Sequence, residues 1–236
     1  MRLFVPAVWS KVSVTLVLLM MSDIRSCGRE QRQFIQCVAA LTMLIDHIGA
    51  VFFPTAIGFR AIGRLSFPLF AFGIAQGVAH TSNFRRYFLR ILIAAVVSQP
   101  IYMKLFGMTQ LNPLFMLAWG ACALHFWKKD RKRLAGILLI GSYFADMSYG
   151  WYGVWTIVFF GFYGMKDSLC FYGQVLINAL YGLTTGAWIQ ILSLFSFGFL
   201  DGKWRIQALA RKLPRYFFYA FYPLHLLVLW GIKMIL

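Results

Sequence analysis

Apolar residues run along this chain in long blocks separated by short polar or glycine-bearing breaks, and the blocks recur from end to end. Runs of this kind predict membrane-spanning helices. The clearer spans are Phe34–Phe53, Phe59–Ala79, Arg86–Phe106 and Leu111–Trp127, then a tightly joined pair, Leu134–Tyr149 and Gly150–Met165. Leu169–Leu183, Ala187–Leu200 and Arg215–Leu236 complete the set. Several fall short of the ~20 residues that a perpendicular crossing needs, so short, tilted or broken helices are expected, above all around Tyr149, Gly150 and Gly186. Leu3–Met21 is apolar too, although Lys11 interrupts it and Pro6 and Ser10 weaken regular helix. A spanning helix, an interfacial helix and a signal-like segment all fit it, and a retained membrane segment is favoured. The predicted fold is an all-α polytopic integral membrane protein, a bundle of about nine to ten transmembrane helices. Residues 1–33 form a hydrophobic segment with a basic loop, and 34–236 a single transmembrane domain. Pro68 and Pro100 should bend their helices. Gly73 and Gly77, on one helical face, should let a neighbour approach closely.

Composition agrees: of 236 residues, 61% are hydrophobic and 13% charged, against about 25% charged in soluble domains. The formal charge of +16 would suit nucleic acid, but its placement does not. Basic residues cluster at Arg25–Arg32, Arg85–Arg90, Lys128–Arg133, Lys166 and Lys203–Arg215, whereas the alternate connections PTAIG, GMTQ and TTG carry no charge. Such alternation orients a bacterial inner-membrane protein with its basic loops in the cytoplasm, which puts the C-terminus outside. No nucleic-acid partner is expected; membrane lipids are. Within KKDRKR, Lys128, Lys129 and Arg131 could meet a nucleotide or an anionic lipid, with an ordinary cytoplasmic loop as the stronger reading. Cys27, Cys37, Cys122 and Cys170 show no CxxC spacing and are expected to pack as small residues.

The stretch Leu41–Ala79 departs from this pattern because it holds Asp46, His47, Arg60 and Arg64. Ionisable groups inside a membrane-like run are costly and face a protein interior, a water path or a ligand. The predicted topology brings them toward Asn112, Asp146 and His225 in the middle-to-outer part of the bundle. Arg60 and Arg64, four apart, can share a helical face; one could neutralise Asp46 or Asp146 while the other binds an anion or a developing oxyanion. Asp46 and His47 are neighbours pointing about 100° apart, so they are no ready-made dyad. His47 is expected to meet an acid from another helix, with Asp146 a candidate, and to act in proton transfer. His225 lies in YAFYPLHLLVLW, where Tyr222 and its aromatic neighbours could line a pocket. His80 and His125 lie toward the predicted cytoplasmic side. Ser66 and Ser98 should bond to nearby helix carbonyls. With no metal-ligand motif, nucleophile elbow, phosphate loop or dinucleotide fingerprint, no metal is expected, and enzyme and transporter both stay open.

Five segments carry a resemblance. IDHIG at Ile45–Gly49, GRLSFPLFAFGIAQG at Gly63–Gly77, NPLFMLAWG at Asn112–Gly120, DMSYGWYGV at Asp146–Val154 and FYPLHL at Phe221–Leu226 resemble the TraX family of conjugal-transfer membrane proteins, in family order. That resemblance implies acetylation of a pilin amino terminus from acetyl-CoA, by a domain related to multi-span membrane acyltransferases. It implies His47 as general base, Arg64 of the GR-x-x-FP motif as charge stabiliser, and Asp46 and Asp146 as structural or relay partners. Arg60, Asn112, His225 and Tyr222 become substrate- or oxyanion-binding candidates. Arg85, Arg86, Lys128, Lys129 and Arg131 become candidate contacts for the phosphates of coenzyme A. The acceptor could instead be an envelope carbohydrate hydroxyl, and a transporter or a non-enzymatic assembly factor is the alternative outside enzymology.

Overall fold

The computed structural model describes residues 28–164, 168–200 and 216–236. The predicted segment Leu3–Met21, the cluster Lys203–Arg215, Lys166 and Cys27 lie outside them. Ten α-helices follow one another among the described residues: α1 (Arg29–Phe52), α2 (Ile57–Gly63), α3 (Ser66–His80), α4 (Phe84–Phe106), α5 (Pro113–Lys128), α6 (Lys132–Phe144), α7 (Gly150–Tyr163), α8 (Ser168–Thr185), α9 (Phe197–Leu200) and α10 (Phe217–Ile235). A 3-10 helix, Trp188–Ser196, runs directly into α9. The chain is an all-helical membrane protein. Among the described residues, four elements are long and apolar enough to cross a bilayer: Glu30–Phe52, Ile57–His80, Phe84–Phe106 and Phe217–Ile235. The helices between α4 and α10 are the short ones that the sequence leads one to expect, and the chain turns sharply where it should. Tyr149, Gly150 and Gly186 all have positive φ, at 65°, 45° and 74°.

The predicted span Phe59–Ala79 is one helical run, Ile57–His80, interrupted by a two-residue break at Arg64 and Leu65. Between α2 and α3, Arg64 and Leu65 keep helical dihedrals but tighten to shorter bonds, Leu65 N–H donating to the Ile62 carbonyl at 3.2 Å. Pro68, three residues on, explains the place of the break. Its ring crowds the carbonyl four residues back, that of Arg64, while its missing N–H costs nothing in the first turn of α3. Pro100 and Pro223 lie inside α4 and α10.

The basic ends gather at one end of the bundle. Phe84, opening α4, stacks on His125 near the end of α5 with centroids 3.8 Å apart, and Arg90 lies 5.5 Å from the Tyr216 ring before α10. The connections that carry no basic residue close the other end. There Leu111 N–H donates to the Asp146 carbonyl at 3.1 Å, and Ser148 N–H to the Leu111 carbonyl at 2.9 Å. The largest core is built from α1, α3, α5 and α7, around Phe72, Met116, Leu124, Tyr152, Ile157 and Phe160.

Two glycines let α1 and α2 approach. A Cβ on Gly49 would collide with the Cβ of Phe59, and one on Gly63 with the side chain of Asp46. The expected glycine pair on α3 divides instead. Gly77 receives the Tyr87 ring, whereas a Cβ on Gly73 would meet nothing within 4 Å. Gly49→Ala should therefore cost about 1–3 kcal/mol by overpacking against an atom that cannot rotate away. Gly73→Ala should be neutral or stabilise by up to about 1 kcal/mol through helix propensity. Thermal unfolding of the two variants in detergent tests this; an equal loss in both would contradict the packing described.

Candidate functional site

Asp46, on α1, is held from two sides. Arg60 Nη1 donates to its Oδ2 at 2.9 Å and Arg64 Nη2 to its Oδ1 at 3.2 Å. Both arginines thus converge on one carboxylate. Arg60 stays partly open, its side chain 37% exposed, while the side chains of Arg64 and Asp46 are 11% and 12% exposed. Arg64 is locked further: Nε donates to the Arg60 carbonyl at 3.2 Å and Nη1 to Gln190 Oε1 at 3.1 Å. Gln190 is fixed in turn, its Nε2 donating to the Tyr152 hydroxyl at 3.1 Å, and that hydroxyl lies 3.3 Å from both Asn178 Oδ1 and Ser193 Oγ. A buried polar chain from α7, α8 and the 3-10 helix so orients the guanidinium. Three of its five N–H groups are engaged in these bonds.

His47 turns away from Asp46, as its neighbouring position requires, and meets another histidine. Its Nδ1 lies 2.8 Å from His225 Nε2, and His225 Nδ1 lies 2.8 Å from the Phe221 carbonyl. These contacts fix the tautomers of the neutral pair. A carbonyl only accepts, so His225 carries its proton on Nδ1 and offers a lone pair at Nε2. His47 must then carry its proton on Nδ1, which leaves the lone pair of its own Nε2 for chemistry. Phe106 packs edge-on against His47 at 5.1 Å, and Phe221 stacks on His225 at 4.9 Å.

His47, Asp46, Arg60 and Arg64 line one cavity of about 470 Å³, with Phe67, Tyr149 and Tyr222 on other walls. Its size suits a small-molecule site. The cavity opens at the neutral end, where the exposed residues Met108 and Thr185 belong to its lining. Tyr222 is 3% exposed and its hydroxyl has no hydrogen-bond partner among the described residues. Tyr149, at the same cavity, adopts a left-handed conformation unusual for a residue with a Cβ and stacks on Phe67 at 4.4 Å.

Not every expected residue arrives. Asp146 is exposed and absent from the cavity lining; its backbone carbonyl ties two connections together, and His225 occupies the place expected for its carboxylate beside His47. Asn112 is fully buried but committed to structure. Its Oδ1 caps α5 by accepting from Leu114 N–H at 3.0 Å, while Nδ2 donates to the Ala95 carbonyl and to Gln99 Oε1. Arg85, Arg86, Lys129 and Arg131 are exposed at the basic end, and Lys128 half-buried there, and none of them lines the His47 cavity. Ser98 bonds within its helix to the Ala94 carbonyl, whereas Ser66 reaches across to the Ala39 carbonyl of α1. Gln190, Tyr149 and Tyr152 are additions. The two tyrosines sit in the DMSYGWYGV segment, whose acidic residue draws attention first; a lone glutamine in WIQILS was the only trace of Gln190.

Comparison with known proteins gives two matches. A family model described as "TraX protein" matches residues 31–233. A "Probable fimbrial assembly protein FimC, serogroup H1" from Dichelobacter nodosus is 27% identical, over 86% of this chain and 95% of its own length. No solved structure matches.

Two measurements follow from this geometry. Arg64→Met should cost about 3–5 kcal/mol because it leaves a buried carboxylate half-compensated, and Arg60→Met only about 1 kcal/mol or less because that pair is partly hydrated; thermal unfolding in detergent ranks them, and the reverse order would refute the asymmetry. Nitrogen-15 NMR of histidine-labelled protein should find both rings as Nδ1–H tautomers, and an Nε2–H tautomer at His47 would dismantle the relay.

Proposed function

The chain belongs to the TraX protein family, and on that premise we propose that it is a membrane-embedded acetyltransferase. It moves an acetyl group from acetyl-CoA to an amine, the amino terminus of a pilin or similar envelope protein. The observation that carries this proposal is the His225–His47 pair, which presents an unprotonated Nε2 at a cavity shared with Arg64. The fimbrial-assembly description of the Dichelobacter nodosus relative supports a pilus-related acceptor.

The chemistry follows from the tautomers. The uncharged amine attacks the thioester carbonyl carbon, and its proton passes to His47 Nε2. Positive charge arriving on His47 is shared through Nδ1–H with His225, whose own Nδ1–H stays on the Phe221 carbonyl. The tetrahedral intermediate carries a negative oxygen. Among the described residues lining the cavity, Arg60 and Arg64 face one carboxylate, Asp46, so the cluster holds net positive charge for that oxygen. The unpartnered hydroxyl of Tyr222 is a second donor at the same cavity. The carbon–sulfur bond then breaks, and the departing thiolate takes the proton back from His47. Asp46 positions the arginines and does not touch the reacting atoms. The protein sits in the bacterial inner membrane with its basic end in the cytoplasm, where acetyl-CoA is found, and its neutral end toward an exported acceptor.

His47→Gln should lower acetyl transfer by about 10²–10⁴-fold while leaving thermal stability near that of the parent protein. Transfer of labelled acetyl by purified protein reads the rate; mass spectrometry of pilin from cells with and without the gene reads the acceptor. Full activity in His47→Gln would remove the base. A changed glycan beside an unchanged pilin would move the acceptor to a carbohydrate hydroxyl, and no consumption of acetyl-CoA would favour a transporter or assembly factor.

A further inference from the structure

A second cavity, of about 540 Å³, begins at the basic end of the bundle. Arg32, Gln33, Gln36 and His80 line its outer part, on the first turns of α1 and the last turn of α3. Its inner wall holds Phe70, Leu114, Leu117 and Phe218, and the same four residues line the His47 cavity. The two cavities therefore meet end to end across the bundle. Nothing in the proposed chemistry uses the second one.

Its wall carries a specific chemical request. Gln76 is 2% exposed, lines this cavity, and its Oε1 has no hydrogen-bond partner among the described residues. A buried amide oxygen without a donor is costly, so it points to a bound N–H or to water. Gln33 and Gln36 add two further carboxamides nearer the mouth. A hydrocarbon chain from a lipid could fill such a tube but would supply no donor to any of them. On the same wall Gly73 leaves free space where a side chain would stand.

We infer that the second cavity is the donor channel, threaded by the amide-bearing pantetheine arm of acetyl-CoA, with an arm amide N–H donating to Gln76 Oε1. This inference rests on the acetyl transfer proposed above. Length supports it. His80 and Phe70 are ten residues apart on α3, roughly 15 Å of helical rise. The arm, about thirteen bonds from diphosphate to sulfur, extends about 16 Å at the 3.6 Å per three-bond repeat of an extended chain. With its phosphates at the mouth, beside Arg32 and near the exposed Arg85 and Arg86, the thioester reaches the wall shared with the His47 cavity. Gly73 sets the bore, and Gln76 sets the register of the arm.

Purified protein in detergent, titrated with coenzyme A in a calorimeter and assayed for acetyl transfer, tests this. Gly73→Phe places a ring in open space and should weaken binding of coenzyme A and raise the KM for acetyl-CoA, each at least tenfold. Gln76→Leu should raise the KM several-fold with kcat nearly intact. Adenosine 3′,5′-bisphosphate, which lacks the arm, should bind all of these variants alike. Parent-like binding of coenzyme A in both Gly73→Phe and Gln76→Leu would overturn the channel even with transfer confirmed, leaving Gln76 to a water. A parent protein that binds coenzyme A through these residues yet transfers nothing would keep the channel and overturn the enzyme. Native mass spectrometry showing a lipid displaced by Gly73→Phe, with coenzyme A binding untouched, would assign the tube to lipid and also overturn it.

Discussion

The Asp46 carboxylate, buried between two guanidiniums in an apolar bundle, is the interaction on which the rest of the site depends. A single charge there would be prohibitive, and a loose pair nearly so, because desolvation exceeds attraction unless the geometry is close and the remaining donors are satisfied. Closeness demands that α1 and α2 touch, and Gly49 and Gly63 permit that contact. Arg64 must also swing from the end of α2 toward the 3-10 helix. The break before Pro68 places it there, and Gln190 receives it. Glycines, proline and glutamine are thus consequences of one buried ion cluster, and the distant packing of α7 and α8 serves it through Tyr152 and Asn178.

That cluster is kept separate from the histidine pair. Had Asp46 bonded His47, its charge would have been spent on one imidazole proton, and Arg64 would have lost its anchor. The fold instead commits Asp46 to cations and gives His47 a neutral partner. A neutral histidine orients His47 and accepts its Nδ1–H without pinning a positive charge beside it, so that in the proposed reaction the imidazole could return its proton within the same turnover. Arg60 and Arg64 remain a fixed positive field, which would need no reorganisation if the proposed oxyanion formed beside it. In the proposed acyl transfer the two tasks, moving a proton and stabilising a charge, would fall to different helices around one cavity.

Much of this was legible in the chain, and the failures have physical reasons. Apolar runs locate the helices because a bilayer leaves few other options, and Gly186 and the Tyr149–Gly150 pair mark turns by their chemistry. The adjacency of Asp46 and His47, which point about 100° apart on a helix, argued against a ready-made dyad. His225 as the partner of His47 was not legible, since 178 residues separate them and only tertiary packing joins them. Asp146 misleads because the cost of a buried charge applies only to a side chain held inside. At the end of a short helix it escapes to the surface and contributes a backbone carbonyl. Gln190 and Gln76 are uncharged, so neither broke the apolar pattern sharply enough to be noticed, although each ends at a critical polar contact or vacancy of contact.

Two cavities meeting inside a membrane protein raise the problem of leakage. A water-filled path joining the two ends would dissipate ion gradients, yet the proposed acyl transfer would need access from both. The wall where the cavities meet reconciles these demands, because Phe70, Leu114, Leu117 and Phe218 bring no polar side chain to it. An apolar wall of this kind disfavours a continuous column of water, and in the proposed reaction it would have to admit only the slender arm that ends in the thioester. The charged cluster and the histidine pair lie on one side of that wall and the glutamine-lined tube on the other. Reactants entering from opposite ends would therefore be joined there by a bond-forming event, without a continuous aqueous pore.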